Sequence, residues 1–170
     1  MRTIPLWGLL LAALCTGCGA SNASSGSRDA ALTRSALADF DATVTAASLD
    51  AWLEKWIAPD FRGTFSGASL DRGGMREAMT AFLAGFSEIR HDIHQIVASG
   101  DTVTVVMTVR MKHTGTFAGI GPTGREVVVS EIDVSRVRDG KVVEQWAVLD
   151  SGALLQQLTT VSDSAGSPPH

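Results

Sequence analysis

The chain is 170 residues long, which suits one domain, with 45% hydrophobic residues and a formal net charge of −4. All 18 acidic residues follow a leader whose only basic residue is Arg2. A mildly acidic domain lacks the basic face that phosphate binding needs, so nucleic acid is excluded as the expected partner. Both cysteines, Cys15 and Cys18, lie near the start, leaving the domain without an internal disulfide or a thiolate nucleophile, and the lack of tyrosine removes the phenol from the possible acids.

Arg2 precedes an apolar run from Leu6 to Leu14. That run is too short to span a bilayer, where about 20 residues are needed. It reads as a signal peptide over residues 1–17. The small residues Thr16 and Gly17 before Cys18 resemble the lipobox of bacterial lipoproteins, with Cys15 where leucine is usual. A peptidase needs small side chains around its cut, and the freed Cys18 thiol would then take the lipid. Residues 18–28 read as a polar Gly/Ser tether. The expectation is an exported protein, lipid-anchored to the bacterial membrane on its periplasmic or extracellular face.

The folded domain is predicted over residues 29–160, followed by a disordered tail at 161–170. Leu32, Ala36, Leu37, Phe40 and Val44 share one face of a helix over 31–46. Ser48 can cap a short second helix carrying Leu49, Trp52, Leu53 and Trp56, with Pro59 beyond its end. Phe61 to Phe65 is a short extended piece. A third helix after Gly73-Gly74 carries Met75, Ala78, Met79, Phe82, Leu83 and Phe86 in one stripe. The period then changes to two. Strands are predicted over 89–98, 102–114, 125–138 and 141–149, with turns at Ser99-Gly100-Asp101 and Asp139-Gly140 and a Gly/Pro loop over 118–124. Gly152 to Leu158 reads as a terminal helical turn or two. Helices followed by an antiparallel meander give an α+β class: a cone-shaped curved sheet with the N-terminal helices on its concave face and a pocket at the open end.

Polar groups on apolar strand faces are the candidates for chemistry. His113 ends the face formed by Val103, Val105, Met107, Val109 and Met111. Glu131 and Asp133 alternate with Val127, Val129 and Val137, but Val128, Ile132 and Val134 make the opposite face equally apolar, so periodicity leaves the inward face open. Glu144, Trp146 and Asp150 share a face with Val142 and Val148 on the last strand. A carboxyl facing a dry pocket has its pKa raised and can shuttle a proton near neutrality. A carboxylate and an imidazole over an apolar cavity suit proton abstraction next to a carbonyl, which needs no cofactor. The alternatives are structural. Asp133 can pair with Arg136 or Arg110, His113 can sit at the surface, Glu144 can bond backbone or arginine, and Trp52, Trp56 and Trp146 can be core. His91 and His94 fall on opposite faces of a strand, so no metal site is expected. Asp139-Gly140-Lys141 is a turn and not a phosphate loop.

The stretch from His113 to Arg125 (HTGTFAGIGPTGR) resembles SnoaL-like polyketide (ester) cyclases. So do Asp133 to Trp146 (DVSRVRDGKVVEQW), Asp150, and Leu154 to Leu158. The resemblance implies the α+β barrel of the ketosteroid isomerase and nuclear transport factor superfamily, often paired into homodimers through the sheet. It implies an aldol ring closure in which the aspartate of a D-x-x-R motif, Asp133 here, is the acid/base. The family's pocket histidine falls on His113, with Trp146, Asp150, Trp56 and Phe82 as substrate neighbours. The expected ligand is a small apolar carbonyl compound, with no cofactor. The other reading is a lipid-anchored domain that binds a ligand or an envelope protein without catalysis.

Overall fold

The computed structural model describes residues 18–160. The expected signal peptide over 1–17 and the expected tail over 161–170 lie outside the described residues. Four helices and six strands follow in the order α1 (Cys18–Thr43), α2 (Leu49–Trp56), β1 (Ile57–Phe65), β2 (Ala68–Asp71), α3 (Arg72–Gly85), β3 (Phe86–Ser99), β4 (Thr102–His113), β5 (Glu126–Arg138), β6 (Lys141–Leu149) and α4 (Ser151–Thr159). The first helix thus begins at Cys18, and the segment read as a tether is helical in its backbone.

The strands form one curved, unclosed sheet in the order β2-β1-β6-β5-β4-β3. The meander from β3 to β6 is antiparallel, as its alternation demands. The β1–β6 pair is parallel, which the meander pattern did not foresee. The extended piece read over 61–65 starts earlier, at Ile57, and turns through Ser66 and Gly67, both at positive φ, into the added strand β2. Pro59 sits inside β1, where Ile57 and Arg62 pair with β6 on either side of a register shift. A strand can leave the ladder at such a shift, so the missing N–H of Pro59 is tolerated there.

Local chemistry sets the helix ends. Asp71 accepts a hydrogen bond from the Gly74 N–H at 2.9 Å and so caps α3. Ser48 was expected to cap α2 in the same way but does not. Its Oγ instead accepts from the Thr45 N–H and donates to the Thr43 carbonyl, bracing the turn between α1 and α2. The β5–β6 turn places Asp139 and Gly140 both at positive φ, the geometry of a tight hairpin.

The alternation of β4 is obeyed along its whole length. Val103, Val105, Met107, Val109, Met111 and His113 are buried, and the residues between them face outward. On β5 the ambiguity is resolved: Val127, Val129, Asp133, Ser135 and Val137 are buried, whereas Ile132 is 48% exposed on the other face. The helices cover this inner face. Leu32 and Leu37 of α1 pack on Val103, Val105, Met107 and Val137. Phe40 and Phe82 join Val109, Met111, Val127 and Val129. Leu49, Leu53, Phe61 and Met75 make a separate cluster beside β6. After β4 the chain passes close under α3, where a Cβ on Gly115 would lie 1.9 Å from the Ala84 carbonyl oxygen. Only glycine fits that approach, and the Thr114 and Gly115 N–H groups both donate to the Gly85 carbonyl.

Candidate active site

The inner face of β5 carries two carboxyls in succession, Glu131 and Asp133, because residues two apart on a strand share a face. They stand opposite Met107 and Val105 on one side and Leu149 and Ala147 on the other, all apolar. A β-bulge supplies the third member. Arg136 pairs with Glu144 but Val137 with Val142, so Val143 is an extra residue and the pleat of β6 reverses beyond it. Gln145, Ala147 and Leu149 therefore face inward, and Glu144, Trp146 and Val148 face outward. This corrects the face expected for β6 from unbroken alternation. The Gln145 amide donates to Oδ2 of Asp133 at 2.9 Å.

The fourth and fifth members come from β3 and α1. Asp41 follows Leu37 by one helical turn, which puts a carboxylate in the apolar stripe of α1. It accepts from the His91 N–H through Oδ2 at 2.9 Å and meets His91 Nδ1 through Oδ1 at 2.5 Å. The Phe40 ring stands edge-on to the His91 imidazole, with centroids 5.6 Å apart, and so fixes its other side.

Asp133 is 8% exposed, and its Oδ1 is buried without a hydrogen-bond partner. Burial pushes its carboxyl up to about 6, while His91 and the Gln145 amide pull the other way. Glu131 keeps part of its surface, yet burial of its carboxyl and the charge of Asp133 push it up to about 8. The two sites interact, so they release protons as a pair. Burial disfavours a second negative charge on the pair.

The arginines considered as partners for Asp133 are engaged on the outer face. Arg136 binds Asp101 and Glu144, and Arg110 binds Asp92 and Glu126. His113 is not near Asp133. Asp133 pairs with Val105, and His113 lies eight residues further along β4, roughly 26 Å at the rise of an extended strand. His113 is fully buried, its Nδ1 accepting from the Thr123 N–H at 3.2 Å and its Nε2 without a partner, beside Phe86. Phe82 packs at this same end, against Phe86 and Phe117. Trp56 donates to Asp39 at 2.7 Å. Asp150 caps α4 by accepting from the Ala153 N–H. Trp146 is 45% exposed on the outer face, opposite Val134. An open groove of about 570 Å³ lies beside it, lined by Arg62, Thr64, Asp71, Glu144, Gln145 and Trp146. Of the site residues that the family resemblance implies, only Asp133 belongs to the inner carboxyl cluster. Glu131, a candidate by the same alternation, lies beside it on the inner face of β5. Gln145 was hidden by the bulge, and Asp41 and His91 are joined only by the packing of α1 on β3. Among the described residues no group of three or more side chains is arranged to hold a metal ion.

The profile of the SnoaL-like polyketide cyclase family matches residues 35–158. No curated protein matches the sequence. Among solved structures, AclR of Streptomyces galilaeus, described as a proposed hydroxylase, is 28% identical with a TM-score of 0.71, over 81% of this chain and 85% of that one. IdmH of Streptomyces antibioticus, a proposed polyketide cyclase, is 27% identical with a TM-score of 0.67, over 78% of this chain and 99% of its own. A protein from Jannaschia described as a proposed SnoaL-like polyketide cyclase shares the fold at 22% identity and a TM-score of 0.67, over 79% and 94% of the two chains.

The raised carboxyls make stability depend on pH with a definite sign. The folded state holds protons that the unfolded chain releases at ordinary carboxylate values, so stability is greatest below those values and is lost as pH rises through the raised ones. The thermal midpoint should fall between about pH 5 and about pH 8, and Asp133→Asn should flatten that slope. Calorimetry across this range checks it. A midpoint that rises over the same interval contradicts the buried, protonatable pair.

Proposed function

The chain belongs to the SnoaL-like polyketide cyclase family, and from that premise we propose that it catalyses cofactor-free proton transfer on a small apolar carbonyl compound, in an aldol cyclisation, isomerisation or hydration. The observation that carries the reading is the free, buried Oδ1 of Asp133. A carboxylate oxygen that no donor satisfies inside an apolar face is costly to keep, and it is also a base positioned to take a proton. Its raised pKa matches it to carbon acids near neutral pH. Gln145 holds the other oxygen and so fixes which lone pairs face the substrate. His91 acts on Asp133 through its charge, and Asp41 fixes the orientation of its imidazole. The apolar neighbours Val105, Met107, Ala147 and Leu149 suit a substrate without charge of its own.

Asp133→Asn tests this directly. The asparagine carbonyl can still accept from Gln145, so the fold should be retained while the base is lost. Exchange of the α-hydrogens of β-tetralone in deuterated water, followed by proton NMR, should drop by about 100-fold or more, the usual contribution of a general base. Unchanged exchange in a folded Asp133→Asn protein contradicts the assignment.

The same reading places the enzyme outside the cytoplasm, on a lipid anchor at Cys18 that follows the apolar Leu6–Leu14 run. Chemistry without a soluble cofactor suits such a compartment. Cys18→Ala should move the protein expressed in a bacterial host from the membrane to the soluble fraction and abolish labelling by radioactive palmitate. Membrane retention with undiminished label in that variant contradicts the anchor.

A further inference from the structure

We propose that Glu131 is the acid that works with Asp133: the two carboxyls share one proton, and Glu131 delivers it to the carbonyl oxygen while Asp133 takes a proton from the adjacent carbon. This rests on the proton-transfer reading above and adds a second catalytic residue to it.

The geometry is that of a pair with one vacancy. Glu131 and Asp133 follow one another on the inner face of β5, with apolar side chains on the strands to either side. Gln145 occupies one oxygen of Asp133, and no hydrogen bond reaches the other. Two full negative charges on successive inward residues of one strand are disfavoured inside an apolar face, so one proton stays with the pair. One charged or titratable group on another element acts on the pair, and a second is bound to it. β3 contributes His91, and α1 contributes Asp41, which is bound to His91. β4 presents Val105 and Met107, and β6 presents Gln145, Ala147 and Leu149, none of which titrates. Burial and the neighbouring aspartate both favour the proton on Glu131.

A carbonyl compound that is to lose an α-proton needs a donor for the oxygen where charge develops. The chain has no tyrosine to serve. Asp133 Oδ1 takes the α-proton, the C–H electron pair becomes the new C=C bond, and the carbonyl π pair moves to oxygen. That oxygen takes the Glu131 proton, giving a neutral enol. In an aldol closure the enol carbon then bonds to a second carbonyl carbon. The enol O–H proton returns to Glu131, and the proton on Asp133 goes to the new alkoxide. In an isomerisation Asp133 gives its proton to a different carbon, and the enol O–H proton returns to Glu131 as the C=O re-forms. The pair begins and ends the cycle with one proton, and no oxidant, reductant or metal enters the balance. A pair carrying one net negative charge would repel carboxylates and phosphates, so the substrate class is neutral carbonyl compounds.

Infrared difference spectroscopy of the Glu131→Gln, Asp133→Asn and wild-type proteins at neutral pH tests the shared proton without any substrate. The wild type should show a protonated-carboxyl stretching band that shifts in deuterated water, and Glu131→Gln should lose it. A band that survives in Glu131→Gln, or that is missing from the wild type, overturns the shared proton. Exchange of β-tetralone α-hydrogens then tests the acid role. Glu131→Gln should slow it at least tenfold, with Glu131→Asp recovering part of the loss. Equal rates in wild type and Glu131→Gln overturn that role. No exchange in the wild type, with the band behaving as expected, rejects the catalytic half together with the reading it rests on and leaves the shared proton standing.

Discussion

A carboxyl held inside an apolar sheet face, with neither Arg110 nor Arg136 paired to it, is the constraint on which the rest of this structure turns. Placing Asp133 there costs solvation that no arginine returns, because Arg110 and Arg136 are bound to acids on the outer face. The fold limits the cost in two ways. Gln145 supplies one hydrogen bond, and burial raises the neighbouring carboxyl of Glu131 too, which disfavours a second charge beside Asp133. What is left over is a single unsatisfied oxygen. Native structures rarely keep such a group unless it has work to do. The site's reactivity and its cost to stability are one property seen from two sides.

That arrangement depends on one extra residue. Without the bulge at Val143, strict pairing would carry Glu144 to the inner face beside Asp133 and Gln145 to solvent. A third carboxylate would then replace the amide, and no donor would reach Asp133. The bulge exchanges them, and Glu144 joins Arg136 on the outer surface instead. The same reversal sends Trp146 and Val148 outward next to Ile132, so the outer face carries an apolar strip while the inner face gains a polar site.

The sequence made the fold legible where a pattern is long and unbroken. The alternation through β4 is an example, since many residues vote for one period there; the stripe read for α3 holds only to Leu83, since Phe86 opens β3 and Ala78 is exposed. It also singled out Asp133, through its alternation with valines and its D-x-x-R spacing. It did not reveal the rest of the site because each missing piece depends on register. Gln145 needs the bulge, and a bulge leaves no mark in a run as evenly apolar as Val142-Val143. The pairing of His113 with Asp133 looked reasonable because both end up buried on adjacent strands. Only the register, Val105 against Asp133, shows them at opposite ends of the sheet. His91 was weighed with His94 as a metal pair because they are close in sequence. Its true partner, Asp41, is 50 residues away. A carboxylate in the apolar stripe of α1 was the one signal available for it.

The most direct measurement is the titration of the Asp133 side-chain carboxyl carbon by NMR in the folded domain. Its ordinary value is about 3.9. Burial beside Glu131 and Gln145 requires a midpoint well above that, near 6, with a second inflection at higher pH as Glu131 releases the shared proton. A single transition at or below the ordinary value would mean that Asp133 is solvated or paired with a cation. The buried base, and the chemistry built on it, would then have to be given up.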